Sequence, residues 1–271
     1  MLLKKFLLIT CLAFIASPAA AAYLTVGCGG DYPTITAAVT AAGNYDTITV
    51  CPGDYDESVF IENKEGLTIQ STEIAEKGPN TIVNRFNIGF APNNGPHSVT
   101  IKGFTLNGPT GGPCLESSGD YTTFAHNTVK SGCNYGIRVN EGNYANNVHH
   151  NYVRDTNLAG ITVEGGGGFN HNVHQNRVKD VGGEGCYYVW ADFTEVHQNE
   201  AIGTCGNGGL NANGSEGLHF HHNVICYADV ELFGADYAYV HHNQLTGEIN
   251  NANSNDTLKK NRENLSSCPL W

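Results

Sequence analysis

One residue recurs through the second half of the chain at a nearly fixed interval. An asparagine preceded by His, Gln or Lys stands at Asn127, Asn151, Asn176, Asn199, Asn223, Asn243 and Asn261. The intervals are 24, 25, 23, 24, 20 and 18 residues. Self-similarity at such a period marks a stacked, quasi-one-dimensional architecture. Short β-rich runs such as Gly136–Val139 and Gly160–Val163 fill each period, with Gly, Asn and Asp between them, and no room is left for a helix. One period therefore predicts one coil of a β-solenoid. Two physical reasons are expected for the repeated asparagine. Asn tolerates left-handed backbone at a sharp turn, and stacked amides hydrogen-bond from coil to coil. Flanking apolar residues, among them Val148, Val153, Val173, Val178, Val196, Phe220 and Ile225, are predicted to point inward.

The first residues carry Lys4 and Lys5, an apolar run Phe6–Ile15 and small residues over 17–22. That order predicts a secretory signal peptide over 1–22. Its apolar run is too short for a membrane span, and no second one follows. The expectation is an exported protein, extracellular or periplasmic, with no membrane insertion and a single domain over 23–271. Eight cysteines remain past the leader, and an even count in an exported chain favours disulfides. Cys114/Cys133 and Cys186/Cys205 share a spacing of 19 residues, which predicts two like bridges. Cys28–Cys51 and Cys226–Cys268 are then expected to staple the ends. Acidic residues number 26 against 14 basic ones, a balance that argues against nucleic acid as a partner. One amphipathic helix is predicted over 34–43, with Ile35, Ala38, Val39 and Ala42 on one face, to cap the first coil.

A capping helix followed by DTITVCPGDYDESVFI (46–61), LTIQS (67–71) and TIVN (81–84) resembles the start of right-handed parallel β-helix proteins of the pectate-lyase-like superfamily, including NosD-like members. The resemblance implies an all-β, right-handed parallel β-helix with a short N-terminal cap helix. It covers nearly all of the chain past the leader. The superfamily hosts lyases, hydrolases, epimerases, adhesins and non-enzymes, so it implies no single activity. The RxPxxR-like segment of pectate-type lyases, the NTD, DD, GHG and RIK segments of polygalacturonase-like hydrolases, and the DPHD of alginate epimerases are all missing from the sequence.

Aligned on the asparagine, Ile137, Val139, Ile161, Val163, Leu210, Ala212, Val230 and Leu232 are expected to alternate inward. Arg138, Asn140, Thr162, Glu164, Asn211, Asn213, Glu231 and Phe233 would face out, with Tyr187, Tyr188 and Trp190 in the coil between. Arg138, Glu164, Tyr187, Asn211 and Glu231 are the candidate polysaccharide-contact strip, about 20 Å long at the usual strand spacing. An acidic chain is expected, with Arg138 as its carboxylate anchor. If the protein is catalytic, the resemblance implies a lyase or epimerase. A second outward column is His149, His174, His197, His221 and His241. It is read mainly as a stacked repeat, so no metal or cofactor is expected. By the NosD-like resemblance, periplasmic metal handling is a third reading. A further column, Lys130, Arg154 and Lys179, is read as surface ion pairs with Asp155 and Asp180. The main alternative to polysaccharide binding is a structural or adhesive protein that associates through its solenoid ends.

Overall fold

In the computed structural model the chain is a parallel β-solenoid, described over residues 20–73, 79–89 and 97–268. Most of the predicted leader lies outside the described residues. Every strand pair among them is parallel. The first sheet has 11 strands, from Tyr23–Val26 through Asn147–His149, Asn172–His174, Glu195–His197, His219–His221 and Tyr239–His241 to Thr257–Lys259. The remaining 16 strands form one hydrogen-bonded sheet with two arms. Gly53–Ile61 and Thr81–Ile88 are long enough to run through both arms, and Thr81–Ile88 pairs with Thr105–Leu106 on one side and with Pro113–Ser117 on the other. The solenoid thus has three walls. The second runs from Thr105–Leu106 to Gln244–Leu245, and the third from Pro113–Ser117 to Ile249–Asn250.

Inward residues of the three walls form one apolar column. Ile137, Val139, Ile161, Val163, Leu210, Ala212, Val230 and Leu232 are all buried, as period-two alternation requires. The helix spans Ile35–Ala41 and buries Ile35, Ala38 and Val39. Thr34 caps it through its side chain, which accepts from the Ala37 amide at 3.1 Å. The Glu57 carboxylate accepts from the amides of Ile35 and Thr36 at 2.9 and 2.8 Å, which places negative charge at the helix N-terminus, where the dipole favours it. All four expected disulfides are present: Cys28–Cys51, Cys114–Cys133, Cys186–Cys205 and Cys226–Cys268.

The asparagines form the amide ladder. Each side-chain N–H donates to the side-chain oxygen of the next at 3.0–3.1 Å, from Asn127 through to Asn261. Each backbone N–H donates to that same oxygen. The second expectation for these residues needs correction. The left-handed turn position is held by the residue before each Asn: His126, His150, Gln175, Gln198, His222, His242 and Lys260, with φ between 53° and 55°. The amide sits on the buried side of the turn, where it satisfies backbone groups that water cannot reach. Its predecessor, exposed at every position but the half-buried His126, carries the backbone strain.

Candidate functional site

Two outward faces carry chemistry. On the third wall the strand register places Arg138, Thr162, Tyr188, Asn211, Glu231 and Asn250 in one row, one per coil. A parallel row runs Asn140, Glu164, Trp190, Asn213, Phe233, each one residue past a paired inward residue. Tyr187 is not in the strip. It is fully buried, in register between Ile161 and Leu210. Its hydroxyl lies 3.0 and 2.9 Å from the carbonyl oxygens of Asn176 and Glu200, and its proton can be given to either. Counted from the ladder, Tyr187 falls 11 residues past Asn176, as Leu210 does past Asn199, whereas Ile137 and Ile161 fall 10 past theirs. The extra residue enters between Lys179, which pairs with Arg154 at an offset of 25, and Gly185, which pairs with Ala159 at an offset of 26. A slip of one residue turns a strand's side chains over, so Tyr188 faces out in its place.

The four other predicted residues separate into two pairs. Arg138 clasps Glu164 bidentately, Nε to Oε1 at 2.9 Å and Nη2 to Oε2 at 3.0 Å, and lies 5.0 Å from the centre of the Tyr135 ring. Burial raises the Glu164 carboxyl above its usual range, with Arg138 opposing. Arg138 is therefore committed, and is not a free anchor for an acidic sugar. Asn211 and Glu231 are neighbours in register and line a cleft of about 830 Å³ with Asp180, Asp229, Tyr227 and Phe233. Glu231 accepts from the side chains of Asn250 and Asn251 at 3.0 and 2.7 Å. The Asn211 side-chain oxygen is buried and has no hydrogen-bond partner among the described residues. Trp190 and Phe233 are 45% and 49% exposed. Tyr227, Asp180 and Asp229 were not legible as site residues, because Tyr227 and Asp229 lie between strands and Asp180, in the strand Arg177–Val181, has left-handed backbone that breaks the alternation. Exposed rings also run along the corner before the first wall, including Tyr121, Phe169, Phe193 and Tyr237. Arg154 and Lys179 pair with Asp155 and Asp180 as expected, at 2.7 and 3.4 Å.

On the first wall the five predicted histidines stack with ring centres 4.9–5.0 Å apart and planes within 7°. Each of the last three points a ring nitrogen at the residue one coil earlier in the next row. His197 Nε2 is 3.2 Å from Asn172 Oδ1, His221 Nε2 is 3.0 Å from Glu195 Oε1, and His241 Nε2 is 2.8 Å from His219 Nε2. Burial holds His149 and His241 down at about 4 and lowers His174, His197 and His221 as well. The hydrogen bond from His221 lowers the Glu195 carboxyl. Glu195 and His219 were missed by sequence reasoning, because neither belongs to the repeating His column.

Among the described residues no helix is long and apolar enough to cross a membrane. No curated protein matches the chain. The pectin methylesterase of Aspergillus niger shares the fold at a TM-score of 0.53 and 11% identity, over 93% of this chain and 88% of that one. The mannuronan C-5 epimerase A-module of Azotobacter vinelandii aligns at a TM-score of 0.39 and 13% identity, over 86% and 90%. A pectate lyase aligns at 0.39 and 12%, over 91% and 80%. The family model for the right handed beta helix region matches residues 38–201. With parallel walls, an inward apolar column and that match over more than half its length, the chain belongs to the right-handed β-helix family.

Proposed function

We propose that this protein binds a polysaccharide along the outward face of its third wall, with the chain running over Trp190 and into the cleft at Asn211, Glu231 and Phe233. The observation that carries the reading is the cleft itself. It joins two exposed rings, Tyr227 and Phe233, to three carboxylates, Asp180, Asp229 and Glu231, and to a buried, unpartnered amide oxygen. Sugar C–H faces pack on aromatic rings, and sugar hydroxyls donate to carboxylates and amides. Convergent polar groups in a concave, partly apolar site are the usual form of a small-molecule or glycan subsite. The acidic chain expected from the sequence fits less well. Arg138 is taken by Glu164, and a uronate entering the cleft would meet like charge. A neutral, hydroxyl-rich chain suits the lining better.

End-to-end assembly is the competing reading. The last strand of the first wall, Thr257–Lys259, is followed by Lys260, and lysines at a sheet edge oppose strand pairing. The test is a glycan array on the full chain with neutral hexose polymers and polyuronates side by side. Binding to neutral polymers, weakened about tenfold or more by Phe233→Ala and by Glu231→Gln and unchanged by Phe193→Ala, is the expected result. No glycan binding, or binding lost with Phe193→Ala and kept with Phe233→Ala, overturns it.

A further inference from the structure

The His column is uniform in shape but not in chemistry. Its neighbouring row reads Asn147, Asn172, Glu195, His219, Tyr239 from coil to coil. Where the row holds Asn172, the ladder imidazole of His197 meets a neutral amide. One coil further on, the same geometry meets a carboxylate, and the coil after that an imidazole. Three donor atoms then converge: Glu195 Oε1 lies 3.0 Å from His221 Nε2 and 4.0 Å from His219 Nδ1, and all three residues offer ligand atoms within 4.8 Å of one another.

From this convergence we infer that Glu195, His219 and His221 form a binding site for a divalent first-row transition metal ion, with a fourth position open to solvent. Ligand atoms bonded at 2.0–2.2 Å around one such ion sit roughly 3–4 Å apart; the two separations from Glu195 Oε1, 3.0 and 4.0 Å, fall in that range, and all three atoms lie within 4.8 Å. Two imidazoles and one carboxylate suit zinc and its first-row neighbours better than calcium or magnesium, which take oxygen ligands.

The outer contacts fit the same role. A metal-bound imidazole ordinarily has its other nitrogen hydrogen-bonded, which fixes the ring and its tautomer. His221 Nδ1 lies 2.8 Å from His222 Nδ1, and His219 Nε2 lies 2.8 Å from His241 Nε2. Each ligand ring is thus held by a second imidazole through the nitrogen that faces away from Glu195. Ligation replaces the His221–Glu195 hydrogen bond: the His221 proton moves from Nε2 to Nδ1, and His222 carries its own proton on Nε2 so that its Nδ1 accepts from His221. The other histidine group, His126, His149 and His150, sits at the far end of the column and contains no carboxylate. It serves as the internal control.

The experiment is zinc titration by calorimetry on the full chain, prepared without a polyhistidine tag. One zinc per chain is expected, with affinity reduced at least tenfold by Glu195→Gln and by His219→Asn, and unchanged by His126→Asn or His174→Asn. These side chains lie on an outward face, and far-UV circular dichroism in metal-free buffer checks that each variant keeps the fold. Cobalt added to the wild type should give visible absorption that Glu195→Gln abolishes. Zinc should also protect His219 and His221, but not His126, from carbethoxylation. No zinc binding to the wild type overturns the site. So does binding that is indifferent to Glu195→Gln and His219→Asn, or several equal zincs spread along the column.

Discussion

The first and third walls are made by the same coils, and their outward faces are nonetheless opposites. On the first wall five imidazoles repeat in register and stack nearly parallel. On the third wall no outward residue repeats from Arg138 through Thr162, Tyr188, Asn211 and Glu231. Repetition yields a surface on which each position has the same partners. Departure from repetition brings unlike groups together, and unlike groups are what recognition and catalysis require. The first wall follows the same rule within itself, since its convergent group arises where Glu195 and His219 break the pattern of the row. In a solenoid, then, the ladder residues hold the coils and the exceptions mark the sites.

The largest effect should come from breaking the repetition where it is buried. Asn176 donates to the Val148 carbonyl at 2.8 Å and to Asn199 at 3.0 Å, and accepts from the backbone and side chain of Asn151 at 3.0 Å each. Asn176→Ala leaves several of these groups without partners in a site closed to water. Unsatisfied groups cost about 1–3 kcal/mol each, so a loss of about 3–5 kcal/mol is expected in denaturant unfolding. A loss under 1 kcal/mol would mean that the ladder is a by-product of stacking, and not what holds the coils.

A buried exception supplies the next. His171 is almost wholly buried, and its Nδ1 accepts from the Asn146 amide at 3.3 Å. Burial lowers its pKa from 6.5 to about 4. The unfolded chain therefore takes up the proton first as pH falls. Stability is fully present above about pH 6.5 and is lost between there and about pH 4. At about 1.36 kcal/mol per pKa unit, the loss by pH 4.5 is about 2–3 kcal/mol. His171→Asn removes this group and leaves the column histidines as they are. The drop in stability from pH 7 to pH 4.5 should shrink by that amount in the variant. An equal drop in both proteins would place the acid sensitivity elsewhere.

How far the sequence carried the comparison depends on which face is considered. The period of the asparagine gave the coils, the inward columns and the His column, because one residue type recurs at one place in the turn. The four cystine pairs were legible from spacing and compartment. Arg138, Glu164, Asn211 and Glu231 were placed on the correct face by alternation alone. Tyr187 was not, since the turn between Lys179 and Gly185 holds one residue more than the turn one coil earlier, and alternation carries no information across such an insertion. Arg138 could be placed facing out, but its bidentate bond to Glu164 in the next coil joins residues 26 apart, which pattern alone does not pair. Asp180 and Tyr227 come into the cleft through left-handed backbone, at φ 50° and 66°, and Asp229 from between two strands.

On the third wall, Arg138→Ala should cost less than the buried changes and still be clear. Its partner Glu164 has a side chain only 14% exposed. Leaving that carboxylate without its guanidinium costs about 1–3 kcal/mol. Arg138→Lys should recover only part of the loss, because an ammonium cannot form the planar two-point contact. Full recovery with lysine would show that charge alone matters at this pair.

The smallest effect is expected in the middle of the His column, and it tests the comparison most directly. His174 stacks between His149 and His197 with ring centres 5.0 Å away on either side. Its Nδ1 hydrogen-bonds the neighbouring side chain of Gln175, at 3.0 Å. Its ring stands on an outward face, so removing it opens no cavity in the core. An aromatic pair contributes about 0.5–1.5 kcal/mol at best, and partial exposure takes these contacts to the lower end. His174→Ala should therefore lower stability by only about 0.5–1 kcal/mol in denaturant unfolding, far below Asn176→Ala two residues away. If His174→Ala costs as much as Asn176→Ala, the stacked imidazoles bear on the core after all, and the division between a holding ladder and an indifferent outer face fails. If the two differ as expected, the outer face of the first wall is free to vary, and Glu195 and His219, which break the row of asparagines and converge on His221, stand out as chemistry and not as scaffold.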